Sequence, residues 1–203
     1  MSRYAAMFDR LDGEGAFGAF LMLGDPDLAA SAILLDAVVA SGADMVEVGI
    51  PFSDPVADGP VIQAAAKRAL DAGVKVADCF ALIAAFRARH SSIPIGILTY
   101  ANLVMARGRD TFFRRAADAG ADSLLVADLP AREAEPWAAE LRAAGLDPVL
   151  IAASNTPPET VSKIARLGAG YTYCVTRAGI TGVQAAAEFD RGLIAALGEA
   201  GAA

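Results

Sequence analysis

The feature that most constrains this chain is the regular alternation of short apolar runs with amphipathic helical stretches. Runs at 16–23, 44–50, 93–98, 122–127, 147–152 and 170–175 have the length and composition of strands. Stretches at 28–41, 61–71, 76–89, 109–119, 131–144, 158–167 and about 185–197 read as helices, and a short helix over 3–11 precedes the first strand. At 28–41, for example, Leu28, Ala32, Leu35, Val38 and Val39 fall on one helix face. The second, fourth and sixth strands each follow a Gly-Ala step, Gly42-Ala43, Gly120-Ala121 and Gly168-Ala169, with the glycine suited to ending a helix. Short βα joints repeated in this way imply parallel strands with right-handed crossovers. An open doubly wound sheet and a closed barrel both satisfy that rule. The first strand-to-helix joint lacks G-x-G-x-x-G, which disfavours a dinucleotide-binding sheet and favours an α/β barrel.

A chain of 203 residues suits a single domain, and 55% hydrophobic residues argue against disorder. No apolar run approaches the ~18 residues of a membrane span. The best candidate, 32–40, is interrupted by Asp36, and Met1-Ser2-Arg3-Tyr4 leads into no signal-peptide apolar core. Cys79 and Cys174 have neither metal-ligand spacing nor a disulfide framework, as expected of two reduced thiols in a cytosolic protein. A net charge of −7 with scattered arginines disfavours nucleic acid as a partner. The expectation is a cytoplasmic protein that meets neither membrane nor nucleic acid.

In a barrel the chemistry sits at the C-terminal ends of the strands. Along the second strand Val46, Val48 and Ile50 share one side, while Glu47 shares the other with Met45 and Gly49. A carboxylate inside a doubly buried strand is costly unless it is paired or used. The alternative is a solvated carboxylate near a strand end, or one satisfied by backbone. The following loop, Pro51-Phe52-Ser53-Asp54-Pro55-Val56-Ala57-Asp58-Gly59-Pro60, is stiffened by three prolines and carries two aspartates. Local turn bonding is the ordinary role for either one. A carboxylate on a rigid loop beside an inward-facing Glu nonetheless suits acid–base chemistry. After the sixth strand, Arg177-Ala178-Gly179-Ile180-Thr181-Gly182 offers backbone N–H groups for a loop over an anion, though an ordinary glycine turn explains it as well. The single histidine, His90, lies at a helix end and reads as a surface residue, so Ser–His and Cys–His chemistry are disfavoured. Tyr100, Tyr171 and Tyr173 lie near strand ends and read individually as packed rings with bonded hydroxyls.

Several of these segments resemble the tryptophan synthase α family. They are Phe20-Leu21-Met22-Leu23-Gly24-Asp25-Pro26, Glu47-Val48-Gly49-Ile50-Pro51-Phe52-Ser53-Asp54-Pro55 with Ala57-Asp58-Gly59-Pro60, Tyr100-Ala101-Asn102, Tyr171-Thr172-Tyr173 and Arg177-Ala178-Gly179-Ile180-Thr181-Gly182. The second is the most specific, and the resemblance runs from residue 3 to about 197. It implies a TIM-type (β/α)8 barrel that cleaves indole-3-glycerol phosphate to indole and glyceraldehyde 3-phosphate, a retro-aldol step in tryptophan biosynthesis. It implies Glu47 as the catalytic acid–base and Asp58 as the carboxylate that holds the indole N–H. Tyr173 would support Asp58, and Thr181 would contact it on loop closure. Phe20, Leu98, Tyr100, Ala127 and Ile151 match positions lining the indole pocket, and Gly182 matches the phosphate site. The step needs no metal or organic cofactor; pyridoxal phosphate belongs to the β subunit of an α₂β₂ assembly. The β contact is expected at Asp54 and Pro55 and around Asn102 and Pro130.

Against that family the chain reads as a single incomplete barrel domain over 1–203, with six of eight βα units and without two further loops that supply most phosphate donors. A circular permutation does not restore them, because neither motif occurs earlier. The first and sixth strands are then expected to be edges, with phosphate affinity reduced. The chain alone is expected to be a poor enzyme of low solubility, open to rescue by a partner. Two alternatives stand beside the lyase: a non-catalytic binding or regulatory partner of the β subunit, and another phosphate-binding barrel lyase or isomerase.

Overall fold

A computed structural model describes residues 2–175 and 191–202. Helix α1 (Arg3–Leu11) begins where the Ser2 hydroxyl accepts the Ala5 amide, an N-cap that satisfies one of the helix's free donors. Strand β1 (Gly18–Met22) leads to α2 (Leu28–Ala40), capped by the Asp27 carboxylate on the Ala30 amide. Strand β2 (Met45–Gly49) precedes α3 (Pro60–Asp71), which opens on proline at a position whose amide is not needed. There follow α4 (Val76–Arg89), β3 (Ile95–Thr99), α5 (Ala101–Met105), α6 (Arg109–Asp118) and β4 (Ser123–Val126). The described chain continues with α7 (Ala134–Ala143), β5 (Asp147–Ala153), α8 (Pro158–Leu167), β6 (Thr172–Val175) and α9 (Arg191–Glu199).

The expected elements are present, with three differences. Helix α5 has five residues, too short for its period to show in sequence. The helix expected over 131–144 divides into a 3₁₀ turn (Ala131–Glu133) and α7. Starting α7 at Ala134 keeps Pro136 in the first turn, where its missing N–H and bulky ring are tolerated. The third Gly-Ala joint also works differently. Gly42 and Gly120 take the positive φ that ends a helix, whereas Gly168 is extended at φ −71°. Of the helix expected at 185–197, residues 185–190 lie outside the described residues.

All strand pairs are parallel, in the order β1-β2-β3-β4-β5-β6, so β1 and β6 are the ends of this order. The register aligns Phe20, Glu47, Gly96, Ser123 and Asp147 across the sheet, with Gly49, Leu98, Leu125 and Val149 one pleat further on. Ile151 and Tyr173 continue the same face on the last pair. The opposite face carries Val46, Val48, Ile95, Ile97 and Leu124, fully packed against helix residues such as Leu35, Ile83, Phe86 and Phe113. Each such aliphatic or aromatic side chain contributes about 1.5–3 kcal/mol on burial.

The sheet is curled. In a flat sheet β2 and β6 would lie four strand spacings apart, about 19 Å at ~4.8 Å each. Instead, the Tyr171 hydroxyl, one residue before β6, donates to Glu47 Oε1 on β2 at 2.5 Å. Helix α1 closes the N-terminal end: the Tyr4 and Ser123 hydroxyls share a 2.8 Å bond, and Tyr4 and Tyr171 rings lie 5.4 Å apart. Below them Asp122 ties three elements together, accepting from Arg3 of α1, Arg87 of α4 and the Ile95 amide of β3. Among the described residues no helix is long and apolar enough to cross a membrane.

Candidate active site

The inward face of β2 creates the site. Alternation with buried Val46 and Val48 turns Glu47 into the curl, where only 8% of its surface is exposed. Among the described residues it is neither solvated at a strand end nor satisfied by backbone, and its partner is the Tyr171 hydroxyl. Burial raises the Glu47 pKa, and the hydrogen bond from Tyr171 opposes that shift. Space for this pair depends on Gly96: a Cβ there would stand 2.7 Å from Ser123 Oγ, 3.0 Å from the Tyr4 hydroxyl and 3.5 Å from that of Tyr171. Gly49 similarly admits the Phe20 and Met22 side chains, which a Cβ would meet at 2.8 and 2.9 Å. The result is a buried carboxyl that keeps its proton above the ordinary carboxylate range, the property of an acid–base group.

The loop after β2 separates its two aspartates. Asp54 is exposed and accepts from Ser53 Oγ at 2.5 Å, the local turn role. Asp58 is 8% exposed and faces the Tyr100 hydroxyl, with burial raising its pKa and Tyr100 opposing the rise. Its backbone is anchored by the Pro55 carbonyl on its amide and by Gln63 Nε2 on its own carbonyl, at 3.1 and 2.7 Å. Tyr100 is buried, accepts the Ala57 amide at 3.2 Å and packs its ring against Phe52. Burial raises the Tyr173 pKa, and the charges of Glu47 and Asp58 raise it further. Tyr100 therefore acts on Asp58 as well, beside Tyr173, the residue expected to support it.

Phe20, Leu98, Ile151 and Tyr173 line the inner face by strand register, and Tyr100 and Ala127 follow directly on β3 and β4. Asp54, Pro55, Asn102 and Pro130 lie on the loops after β2, β3 and β4, with Asp54, Asn102 and Pro130 exposed. Thr181 and Gly182, with Arg177 and Gly179, lie outside the described residues. His90 is away from this site: its Nε2 pairs with Asp36 at 2.8 Å and its ring packs on Phe86. Cys79 is buried, its thiol pushed up to about 12, and Cys174 is exposed; both are free. No group of three or more potential metal ligands occurs among the described residues. The sequence reading gave Tyr171 a bonded hydroxyl but not its partner, and it did not single out Tyr4, Ser123, Asp122 or Asp128. A serine or aspartate at a strand end carries no spacing signal, because its partners come from other strands.

A curled parallel sheet that carries carboxyl groups inside and above it, over an aromatic and aliphatic lining, defines a protein of the (β/α)8-barrel class. The profile of the family described as "Tryptophan synthase alpha chain" matches residues 8–197. The tryptophan synthase alpha chain of Aeromonas hydrophila is 49% identical over 98% of this chain and 75% of its own length. A tryptophan synthase structure from Mycobacterium tuberculosis superposes with a TM-score of 0.87 at 33% identity, covering 98% of this chain and 77% of that one. A structure described as a tryptophan synthase complex from Pyrococcus furiosus gives a TM-score of 0.75 at 38% identity, over 79% of this chain and 66% of that one. The chain belongs to the tryptophan synthase alpha chain family, lyases of tryptophan biosynthesis.

Proposed function

We propose that Glu47 is the acid–base of the retro-aldol cleavage of indole-3-glycerol phosphate and that Asp58 holds the indole nitrogen. The observation that carries this reading is the buried Glu47 carboxyl, bonded to Tyr171 inside the curl, with a second buried carboxyl on the loop leaving the same strand. Cleavage requires a proton at indole C3, which turns the enamine into an indoleninium. The glycerol hydroxyl then loses its proton and forms the aldehyde as the C3–glycerol bond breaks and its electron pair returns to the ring, restoring indole. Burial raises the Glu47 pKa, which brings a carboxyl closer to the working range of a group that gives up a proton and takes one back. The positive charge that develops on the ring nitrogen during C3 protonation is countered by the Asp58 carboxylate, electrostatic stabilisation aimed at the transition state. Phe20, Leu98, Tyr100, Ala127 and Ile151 form the proposed indole lining, with Tyr173 and Thr181 proposed to support Asp58 and Gly182 to hold the phosphate. These are all side-chain and backbone roles, and the reading assigns this chain no metal and no organic cofactor.

The proposed partner is a tryptophan synthase β subunit, which would hold the pyridoxal phosphate of the assembly. Support comes from the Pyrococcus furiosus relative, described as a complex. The exposed Asp54, Asn102 and Pro130 also lie on three successive loops, flanked by exposed Val56, Val61 and Met105. A cytoplasmic location is part of the same reading. The test is indole release from indole-3-glycerol phosphate by the full chain, with and without β subunit. Glu47→Gln and Asp58→Asn should each lower turnover by about 10²–10⁴-fold. Turnover within a few-fold of the unsubstituted chain in Glu47→Gln would refute the acid–base role.

A further inference from the structure

Three successive βα loops are joined by side chains that each reach out of their own loop. Asp128, just beyond β4, accepts the Ala101 amide through Oδ1 at 2.8 Å, the first amide of α5. Ala101 directly follows Tyr100, whose ring descends beside Phe52 and whose hydroxyl accepts the Ala57 amide at 3.2 Å. Tyr100 Oη also faces the Asp58 carboxylate, one residue further. The path therefore runs from the loop after β4, through the start of α5, to the loop after β2. Asp128 is exposed and lies outside the packed lining, so its carboxylate has no burial to gain by this arrangement.

We propose that Asp128 is a positioning residue for Asp58: by fixing the Ala101 amide it fixes Tyr100, and through the Tyr100 hydroxyl it fixes the 57–58 backbone. The physical ground is that α5 is only five residues long and Tyr100, at its N-cap position, makes no side-chain cap of its own. A single turn of helix has too few internal bonds to hold its entry angle, since nucleation is the costly step. An acceptor from a neighbouring loop supplies what the local sequence lacks. Pro55 and Gln63 anchor Asp58 within its own loop, whereas the Asp128 bond and the Tyr100 bond tie the loops to one another. This role rests on the proposed placing of Asp58 at the indole nitrogen.

The experiment is amide hydrogen exchange on the full chain, resolved at Ala57, Ala101 and, as an interior reference, Ile97 of β3. Asp128→Ala should speed exchange at both Ala101 and Ala57 by about fivefold, the effect of losing a helix N-cap acceptor. Asp128→Asn keeps a carbonyl oxygen for Ala101 and should restore both. Tyr100→Phe should speed Ala57 alone. Acceleration of Ala101 without Ala57 in Asp128→Ala would make Asp128 a local cap and overturn the proposal. So would equal acceleration of Ile97, or an Asp128→Asn variant as loose as Asp128→Ala. Indole titrated into the same variants by calorimetry supplies the second readout: Asp128→Ala should weaken binding about fivefold and Asp128→Asn should not, in step with the exchange at Ala57. If Asp58→Asn leaves indole affinity unchanged, the reading of Asp58 fails while the exchange result still decides whether the loops are joined.

Discussion

Replacing Asp122 by alanine tests the packing of the N-terminal end of the barrel. Its side chain is 8% exposed and accepts Arg3 Nη1 at 2.7 Å, Arg87 Nη2 at 2.7 Å and the Ile95 amide at 2.8 Å. Arg3 is 40% exposed and returns to water when the carboxylate is lost, so its share is that of a surface pair, at most about 1 kcal/mol. Arg87 is different. Its side chain is 13% exposed, and burial already pulls its pKa down, with Asp122 as the opposing charge. Breaking a buried pair by removing one partner costs about 3–5 kcal/mol. Arg87 still keeps the carbonyls of Gly120, His90 and Ile93, at 2.9, 2.8 and 2.7 Å, which favours the lower end. Relief of the repulsion that Asp122 exerts on Asp147 acts in the same direction. The expected loss is about 3 kcal/mol, or a Tm lower by about 6–12 °C for a chain of this size. Trp137, the sole tryptophan and 7% exposed, reports unfolding in urea by its fluorescence. Arg114→Ala, which removes an exposed pair with Asp110, is the control and should cost under ~0.5 kcal/mol. A loss below about 1 kcal/mol in Asp122→Ala, similar to the control, would refute the view that Asp122 neutralises a buried cation.

Glu47→Gln should stabilise the fold at neutral pH while removing lyase activity. Because burial raises the folded-state pKa of Glu47, the folded chain holds more protons than the unfolded one above pH 4.5, and stability falls as pH rises through that interval. The stability gap between Glu47→Gln and the unsubstituted chain should therefore widen from pH 4.5 upward, and a gap independent of pH would count against it. Tyr171→Phe removes the hydrogen bond that favours charged Glu47, so the limb of the kcat/KM profile set by Glu47 should move to higher pH; an unmoved limb would separate Tyr171 from the chemistry. Thr99→Val should stabilise by about 1 kcal/mol, because the Thr99 hydroxyl is fully buried with no hydrogen-bond partner among the described residues. Gly96→Ala should destabilise by about 1–3 kcal/mol, read from urea midpoints, since the new methyl group would collide with Ser123 Oγ.

What the sequence by itself determined was the parallel α/β architecture and the two carboxylates. Alternation of apolar runs with helical stretches dictates the order of elements, and the period of two along 45–50 turns Glu47 away from Val46, Val48 and Ile50 whatever lies opposite. The tertiary structure decided which tyrosine serves which carboxylate. Tyr171 meets Glu47 across 124 positions and Tyr100 meets the 57–58 backbone across 43, because curling the sheet brings β6 over β2 and sets neighbouring loops side by side. The same holds for Asp122 and Asp128, ordinary aspartates at strand ends until Arg87 and the Ala101 amide are folded against them. Local pattern reports the face on which a residue stands; its partner depends on curvature and register summed over the whole sheet, which no window of sequence contains.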